Sequence, residues 1–351
     1  MNIKNLHKVH FIGIGGIGMS GLAEYFHNLG IKVSGSDKEK SEITSRLEKS
    51  GIKIYSPHSG ENIEKDIDLV IYTAAVSDDN PELVKSKELN INCIKRAKLL
   101  AELVNEKYLI AICGTHGKTT TTSMISKIFI DAKTDPILFV GGSLDFLGNA
   151  SFRAGNGKFS IAEADEYDRS FLTLNPDLIV FNNLDFDHSD IYKNFEEFKK
   201  GFTEFFKNLK HGGKIIANSS DKNITDLLND RNDVIWYGAR ENDNYKITDF
   251  SDGIENCKFK VNGKEYKIKL HGFHNVQNAT ASVSASLECG LDYETVYNSL
   301  SEFTGVKRRM ELKYKNDFSV FDDYAHHPNE VLPTLKAFKE ISEGRVITVF
   351  Q

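Results

Sequence analysis

Four cysteines are spread over 351 residues, at positions 93, 113, 257 and 289, and none of them forms a C-x-x-C pair. Neither a zinc site nor a redox motif is signalled. The four read as reduced, mostly buried thiols of a cytoplasmic protein. Long apolar runs are also missing, since none approaches the roughly 20 residues that a membrane helix needs. The N-terminus carries a lysine or two, but a glycine-rich turn follows where a signal peptide would need its apolar region. The expected compartment is the cytoplasm, without membrane insertion. An excess of positive charge is absent as well. The net charge is −6 with the two signs interspersed, which argues against a generic nucleic-acid surface. A small anionic ligand stays open, because such a site is local. No long repeat or low-complexity segment is visible.

What remains is an ordinary globular composition, 40% hydrophobic and 27% charged. The length suffices for a sizeable core and for two or three domains of roughly 100–200 residues each. Short β-branched runs alternate with helical patterns, the signature of parallel α/β layers. Strands are predicted at 9–12, 32–36 and 69–73, with a helix over 18–29. A new strand at 108–113 leads through a second glycine turn into a Thr-rich helix. Further buried strands fall at 159–162 and 178–182. An amphipathic helix with an aromatic face covers 195–209. Residues 258–270 predict a β-hairpin, with Asn262-Gly263 supplying the positive φ of a tight turn. A small-residue helix over 276–289 is expected to pack closely on a neighbour. A third unit begins with a strand at 318–321 and continues as a helix at 328–341 and a strand at 346–350. The domains expected are 1–106, 107–312 and 313–351.

Two glycine turns carry the chemistry. The first, Gly13-Ile14-Gly15-Gly16-Ile17-Gly18, links a strand to a helix. Its glycines let the backbone approach a pyrophosphate, and the helix N-terminus offers free N–H groups. Asp37 ends the next strand, where an acidic side chain meets a ribose. The turn does not separate NAD from a UDP-sugar, since both offer a pyrophosphate and a ribose. The second turn is Gly114-Thr115-His116-Gly117-Lys118-Thr119-Thr120. Its end matches a phosphate-binding loop: backbone N–H groups cradle phosphate oxygens, Lys118 neutralises the β- and γ-phosphates and the Thr119 hydroxyl reaches Mg²⁺. It is a shorter variant, because Ile112 stands where G-x-x-x-x-G-K-[ST] has its first glycine. Two anion-binding turns in one chain favour a two-substrate enzyme over a simple dehydrogenase.

Glu163-Ala164-Asp165-Glu166-Tyr167-Asp168 follows an apolar strand. Acids this close repel one another unless a cation offsets them, which suggests a cation site. The next strand is followed by Asp185, Asp187, His188 and Asp190. Open α/β sheets bind ligands at the carboxyl ends of their strands. Lys118, Glu163 and His188 are therefore expected to converge on one crevice.

These segments together resemble the Mur ligase family, which joins amino acids to UDP-muramoyl precursors. HFIGIGGIGMSGLAEYF from His10 and GTHGKTTTTSMI from Gly114 are similar to its UDP-binding turn and ATP loop. EADEYDRSFL from Glu163, DFDHSDIY from Asp185, HGFHNVQNATAS from His271, GVKRRME from Gly305 and DDYAHHPNE from Asp322 follow in the family's order. The resemblance runs from the first strand to the last residue. It implies an α/β architecture with a Rossmann-like N-terminal domain, a central P-loop ATPase-like domain and the start of a third Rossmann-like domain. GIGGIGM, GTHGKTT and DDYAHHP point to the L-alanine-adding member. The implied reaction is ATP-dependent and serves peptidoglycan synthesis. It joins L-alanine to the carboxylate of UDP-N-acetylmuramate through an acyl phosphate.

The resemblance also assigns residues. Gly13, Gly15, Gly16, Gly18, Met19, Ser20, Asp37 and Thr73 fall on the UDP-substrate side. Gly114, Thr115, His116, Gly117, Lys118, Thr119 and Thr120 hold ATP phosphates, with Lys118 exposed and bonded mainly to ligand. Thr119, Glu163 and His188 hold Mg²⁺. Asn275 and Asn278, beside His274, line the nucleotide cleft, and Arg309 and Asp323 complete it. Tyr324, His326 and His327 lie near the amino acid. A monomer or weak homodimer is expected.

Family members carry a third domain of well over a hundred residues, whereas about 40 residues cannot make an independent α/β core. Either this piece packs on the middle domain or the chain is truncated there, in which case apolar surface is expected to be exposed at 318–321 and 346–350. It is expected to bind the UDP substrate without forming the amide at an appreciable rate. The alternatives are a ligase that adds a whole tripeptide to the same nucleotide, a nicotinamide-dependent dehydrogenase, and a catalytically inactive nucleotide-binding protein.

Overall fold

The computed structural model describes residues 5–73, 75–148, 150–187, 191–253, 256–325, 328–342 and 344–350. The first unit runs β1 (Lys8–Ile12), α1 (Ile17–Asn28), β2 (Lys32–Ser36), α2 (Glu42–Lys49), β3 (Lys53–Tyr55), β4 (Leu69–Tyr72), α3 (Pro81–Glu88) and β5 (Asn92–Lys95). Its five strands lie in the order β3-β2-β1-β4-β5 and all pair in parallel. The period-2 alternation of β1 sorts its side chains. Val9 and Phe11 face α1, against Met19, Leu22 and Phe26, while Ile12 faces Val70 and Leu83 on the other side. The order turns back between β1 and β4, so the carboxyl end of β1 opens on a crevice. The Gly13–Gly18 turn sits there.

Helix α4 (Arg96–Asn105) leads to β6 (Tyr108–Cys113), α5 (Lys118–Asp131), β7 (Ile137–Leu144), β8 (Ala150–Arg153), β9 (Phe159–Glu163) and β10 (Leu178–Phe181). Then come α6 (Phe195–Phe206), β11 (Lys214–Asn218), α7 (Lys222–Leu228), β12 (Val234–Gly238), β13 (Tyr245–Asp252), β14 (Cys257–Val261), β15 (Lys264–Ile268), α8 (Phe273–Glu288) and α9 (Tyr293–Glu302). Ten strands form one sheet in the order β15-β14-β13-β12-β11-β10-β6-β9-β7-β8. The expectation of parallel layers holds from β13 across to β7, whereas β14, β15 and β8 add antiparallel edges. Strand β6 is central, buried on both faces. Ile110 and Ile112 face Ile125 and Phe129 of α5, whereas Leu109 and Ala111 face the α4 and α6 side.

Phe198, Phe202, Phe205 and Phe206 of α6 are buried. Each such side chain stabilises the fold by roughly 1.5–3 kcal/mol. The first unit shares this apolar core: residues of α1, α4 and α6 belong to one cluster, and Tyr25 meets Phe152 at 5.4 Å between ring centres. The hairpin turns at Asn262 and Gly263 with φ of 49° and 78°, as expected. Helix α8 is Ala- and Ser-rich and packs on α5, with the Ser282 hydroxyl donating to the Asn278 carbonyl.

The third unit is β16 (Glu311–Lys315), β17 (Ser319–Asp322) and α10 (Pro328–Ile341), the two strands forming an antiparallel pair. Phe318 is 63% exposed and Val349 95%. The strand expected at 346–350 is not formed. A strand is held by a neighbouring ladder, and among the described residues none pairs with this segment. No helix among the described residues is long and apolar enough to cross a membrane.

Candidate functional site

The phosphate loop leaves β6 at Gly114, whose φ is 128°. A Cβ there would lie 2.9 Å from the Asn183 carbonyl oxygen, and one on Gly117 (φ 76°) 2.6 Å from Asn278 Oδ1. Only glycine fits both positions. Asn183 clasps the loop from outside: its Oδ1 accepts from His116 N at 2.7 Å and its Nδ2 donates to the His116 carbonyl at 2.9 Å. The Thr115 hydroxyl donates to the Asp185 carbonyl at 2.8 Å. Helix α5 then begins at Lys118 with no side chain capping its first turn. Its leading N–H groups are left for an anion. By contrast, helices α2, α3, α6, α7 and α9 are capped by Ser41, Asn80, Asn194, Asp221 and Asp292.

Lys118 corrects an expectation. Its side chain is only 13% exposed and is bonded to protein. Nζ donates to both Glu166 oxygens at 2.9 Å and to the Gly114 carbonyl at 2.8 Å. Glu166 is fully buried, and its carbonyl accepts from the Tyr192 hydroxyl. Burial opposes the charge on Lys118, but Glu166 and Asp165 outweigh it and the ammonium pKa is raised. The cation that offsets the Glu163–Asp168 acids is therefore in part the protein's own lysine. The pairing was not legible in sequence, because it joins residues 48 positions apart.

Thr119 and Glu163 do meet. The Thr119 hydroxyl donates to Glu163 Oε2 at 3.3 Å, and Gly141 N donates to Oε1 at 2.6 Å. Burial pushes the Glu163 carboxyl up to about 7, against the pull of the Gly141 N–H and Lys118. A carboxylate held in this state, with a hydroxyl beside it, suits a hard divalent cation that would supply the missing positive charge. The third expected ligand, His188, lies outside the described residues, as do His326 and His327.

Beside the loop opens a cleft of roughly 250 Å³, lined by His116, Thr120, Asn275, Asn278, Arg309 and Asp323 among others. Asn275 Nδ2 donates to the His271 carbonyl at 2.8 Å, and Asn278 Nδ2 to Asn275 Oδ1 at 3.3 Å. Burial lowers the His274 pKa, outweighing Asp323 and Asp252. Asp323 fastens the crossing into the third unit by accepting from Met310 N and Ala325 N, each at 2.7 Å. Arg308 and Arg309 lie over the Tyr324 ring, at 4.6 and 5.6 Å. Glu330 of α10 was not foreseen. Its Oε1 is 3.3 Å from Arg309 Nη1 and 3.4 Å from His116 Nδ1, so the third unit touches the phosphate loop directly.

At the other glycine turn, Gly13 N and Ile14 N donate to the Ser36 carbonyl at 2.9 and 3.0 Å. Asp37 Oδ2 accepts from Gly15 N at 2.7 Å. The acid expected to face a ribose thus also closes the turn. Gly16 starts α1 without a side-chain cap. Thr73 packs its methyl where a Cβ on Gly13 would fall, and Arg96 places Nη1 where one on Gly18 would fall. Met19 and Ser20 are buried at the base, 1% and 3% exposed, rather than open to a ligand. Arg96 opens α4 and was missed because nothing in its local sequence ties it to the turn.

The switch point of a parallel sheet with a glycine turn, joined to an α/β unit bearing a phosphate loop, defines a two-site nucleotide-binding protein. Three family models agree on which. They are the Mur ligase family catalytic domain at 8–108, the Mur ligase middle domain at 112–286 and the Mur ligase, glutamate ligase domain at 308–351. The chain belongs to the Mur ligase family.

It is 45% identical to UDP-N-acetylmuramate–L-alanine ligase of Acetivibrio thermocellus, over 98% of this chain and 75% of that one. Identity to the enzyme of the same name from Clostridium kluyveri is 44%, over 99% and 78%. The crystal structure of a UDP-N-acetylmuramate-alanine ligase from Thermotoga maritima is similar with a TM-score of 0.83 at 34% identity, covering 96% of this chain and 78% of that one. A murein peptide ligase from Psychrobacter arcticus follows with a TM-score of 0.79 at 26% identity, over 96% and 77%.

Proposed function

We propose that this protein is an ATP-dependent acid–amino-acid ligase that joins L-alanine to the carboxylate of UDP-N-acetylmuramate, a step of peptidoglycan synthesis. The observation that carries the reading is the pair of uncapped, glycine-led helices α1 and α5, each at the carboxyl end of its sheet's switch strand. The identity to the L-alanine ligases named above supports the choice of substrates. The working division is a UDP-substrate domain over 1–106, an ATP domain over 107–312 and an amino-acid unit from 313. The cytoplasm is the compartment that fits these substrates.

In this mechanism the muramate carboxylate attacks the γ-phosphorus of ATP in line, forming an acyl phosphate and releasing ADP. The free amine of L-alanine then attacks the acyl carbon. The tetrahedral intermediate collapses to the amide and phosphate. Both reactants of the first step are anionic, so charge neutralisation is the main catalytic term. Lys118 moves from Glu166 onto the β- and γ-phosphates, while the Gly114–Thr120 backbone donates to phosphate oxygens. Thr119 and Glu163, with His188, would hold Mg²⁺, which supplies positive charge to the phosphates. Asn275, Asn278 and Asp323 hold the nucleotide side, and Arg309 adds a second cation. Tyr324 belongs to the amine side of the site, the role that the resemblance gives it together with His326 and His327, which lie outside the described residues. Closure of the third unit through Glu330 and His116 excludes water from the acyl phosphate.

The test is phosphate release with ATP and UDP-N-acetylmuramate as the amine is varied, by a version of the protein extended to the length of its relatives, with the Acetivibrio thermocellus enzyme alongside. Release that rises with L-alanine and not with a tripeptide is expected. Stimulation by the tripeptide alone would make the protein a recycling ligase. ATP binding without any dependence on the UDP-sugar would overturn the reading.

A further inference from the structure

Just before the start of α8, three side chains with different metal-binding atoms meet. Asp252 ends β13, Cys257 begins β14 directly opposite it in the ladder, and His271 follows β15. One ligand atom from each lies within 4.8 Å of the others. We propose that Asp252, Cys257 and His271 form a binding site for a borderline-soft divalent cation, with Zn²⁺ the best match.

The donor set argues for the class of ion. Thiolate, imidazole and carboxylate together suit Zn²⁺ or Co²⁺, whereas Mg²⁺ and Ca²⁺ prefer oxygen alone. Three protein ligands leave a fourth tetrahedral position for water. The geometry is set by rigid elements. Asp252 and Cys257 are fixed by strand register, and Gly272 N holds Asp252 Oδ2 at 2.7 Å. Cys257 is fully buried, while the Asp252 and His271 side chains keep 7% and 14% of their surface in solvent. A cation therefore enters from the carboxylate and imidazole side and meets sulfur behind. Without metal, His271 Nδ1 donates a hydrogen bond to Asp252 Oδ1 at 2.9 Å. On binding, the Cys257 S–H bond breaks, a sulfur–metal bond forms and the thiol proton passes to solvent. The imidazole hydrogen moves to Nε2, freeing the Nδ1 lone pair.

The site adjoins the nucleotide cleft. The His271 carbonyl accepts from Asn275, and Asn275 accepts from Asn278, which packs against Gly117 of the phosphate loop. An ion on Asp252 and His271 would stiffen the turn at Gly272, whose φ of 88° starts α8.

The experiment is Co²⁺ titration of the whole chain in excess Mg²⁺, followed by Zn²⁺. One equivalent of Co²⁺ should give a thiolate-to-metal charge-transfer band, which Zn²⁺ bleaches. Cys257→Ser should abolish the band. His271→Ala should weaken binding by more than about 10–100-fold, the range for losing only a partner that supports a ligand. Cys93→Ala should leave both unchanged. Because a variant of a buried cysteine can unfold, X-ray absorption of the Zn²⁺-loaded, unaltered chain gives a second reading. One sulfur at about 2.3 Å with nitrogen and oxygen at about 2.0–2.2 Å is expected. An all-oxygen shell, a band that survives Cys257→Ser, or no stoichiometric binding would show that the three residues form a hydrogen-bond network only.

Discussion

At the carboxyl end of β1 the glycine turn is closed by a carboxylate; at the carboxyl end of β6 it is filled by a lysine. Asp37 sits on Gly15 N in the first, whereas Lys118 sits on the Gly114 carbonyl and on Glu166 in the second. Both turns lead into a helix without a side-chain cap, so both offer N–H groups to a diphosphate. They differ in where the countercharge comes from. The second turn carries its own ammonium, which in the proposed mechanism exchanges a buried carboxylate for phosphate. The first relies on the α1 terminus and on Arg96 next to Gly18. The lesson is that one backbone motif serves two tasks. On the proposed assignment, the turn with a resident cation would neutralise a reacting phosphate and the turn closed by an acid would hold a nucleoside.

The comparison breaks most sharply at Lys118. In a version extended to the length of its relatives, Lys118→Ala is expected to lower ADP formation on the order of 10³-fold or more while leaving UDP-sugar binding unchanged. It also breaks the buried Lys118–Glu166 pair, at a cost of roughly 3–5 kcal/mol. The double variant Lys118→Met with Glu166→Gln should regain most of that stability in thermal melts without regaining activity. Near-normal ADP formation by Lys118→Ala would mean that this loop is not the ATP site.

Glu163→Gln comes next, with Mg²⁺-dependent turnover reduced on the order of 10²–10³-fold. The pH profile gives its signature. The carboxyl pKa is raised from 4.5 to about 7 in the fold. Its stabilising share is therefore complete below pH 4.5 and is lost as pH rises through about 7. Melts across that window should fall for the unaltered protein and flatten for Glu163→Gln. An unchanged slope would show that Glu163 does not titrate there.

Gly117→Ala should cost about 1–3 kcal/mol, since a side chain is placed at φ 76° and meets Asn278 Oδ1. Denaturant melts measure it, and a neutral result would mean that the loop relaxes freely. The smallest effect belongs to the first turn. Asp37→Asn should weaken UDP-sugar binding about 10-fold, in line with loss of a charged hydrogen bond, without touching ATP affinity. Equal losses for both ligands would erase the distinction between the turns.

Much of this was legible in sequence because it is local. Glycine spacing announces each turn, and Asn262-Gly263 announces the hairpin it forms. What could not be read is what folding brings from afar. Glu166 reaches back to Lys118, Asn183 clasps the loop at His116, and Arg96 closes on Gly18. Each is an ordinary polar residue until the sheet order is known. The strand expected at 346–350 failed for a related reason. Its apolar pattern is local, but a strand is made by its neighbour, and the segment has no pairing partner among the described residues.

The most direct measurement is calorimetric titration of the protein and of Lys118→Ala with UDP-N-acetylmuramate, ATP and NAD. The account predicts one UDP-sugar site in both proteins, an ATP site weakened in the variant, and no useful NAD affinity in either. Tight NAD binding with no response to the UDP-sugar, or a UDP-sugar site that disappears with Lys118, would contradict it.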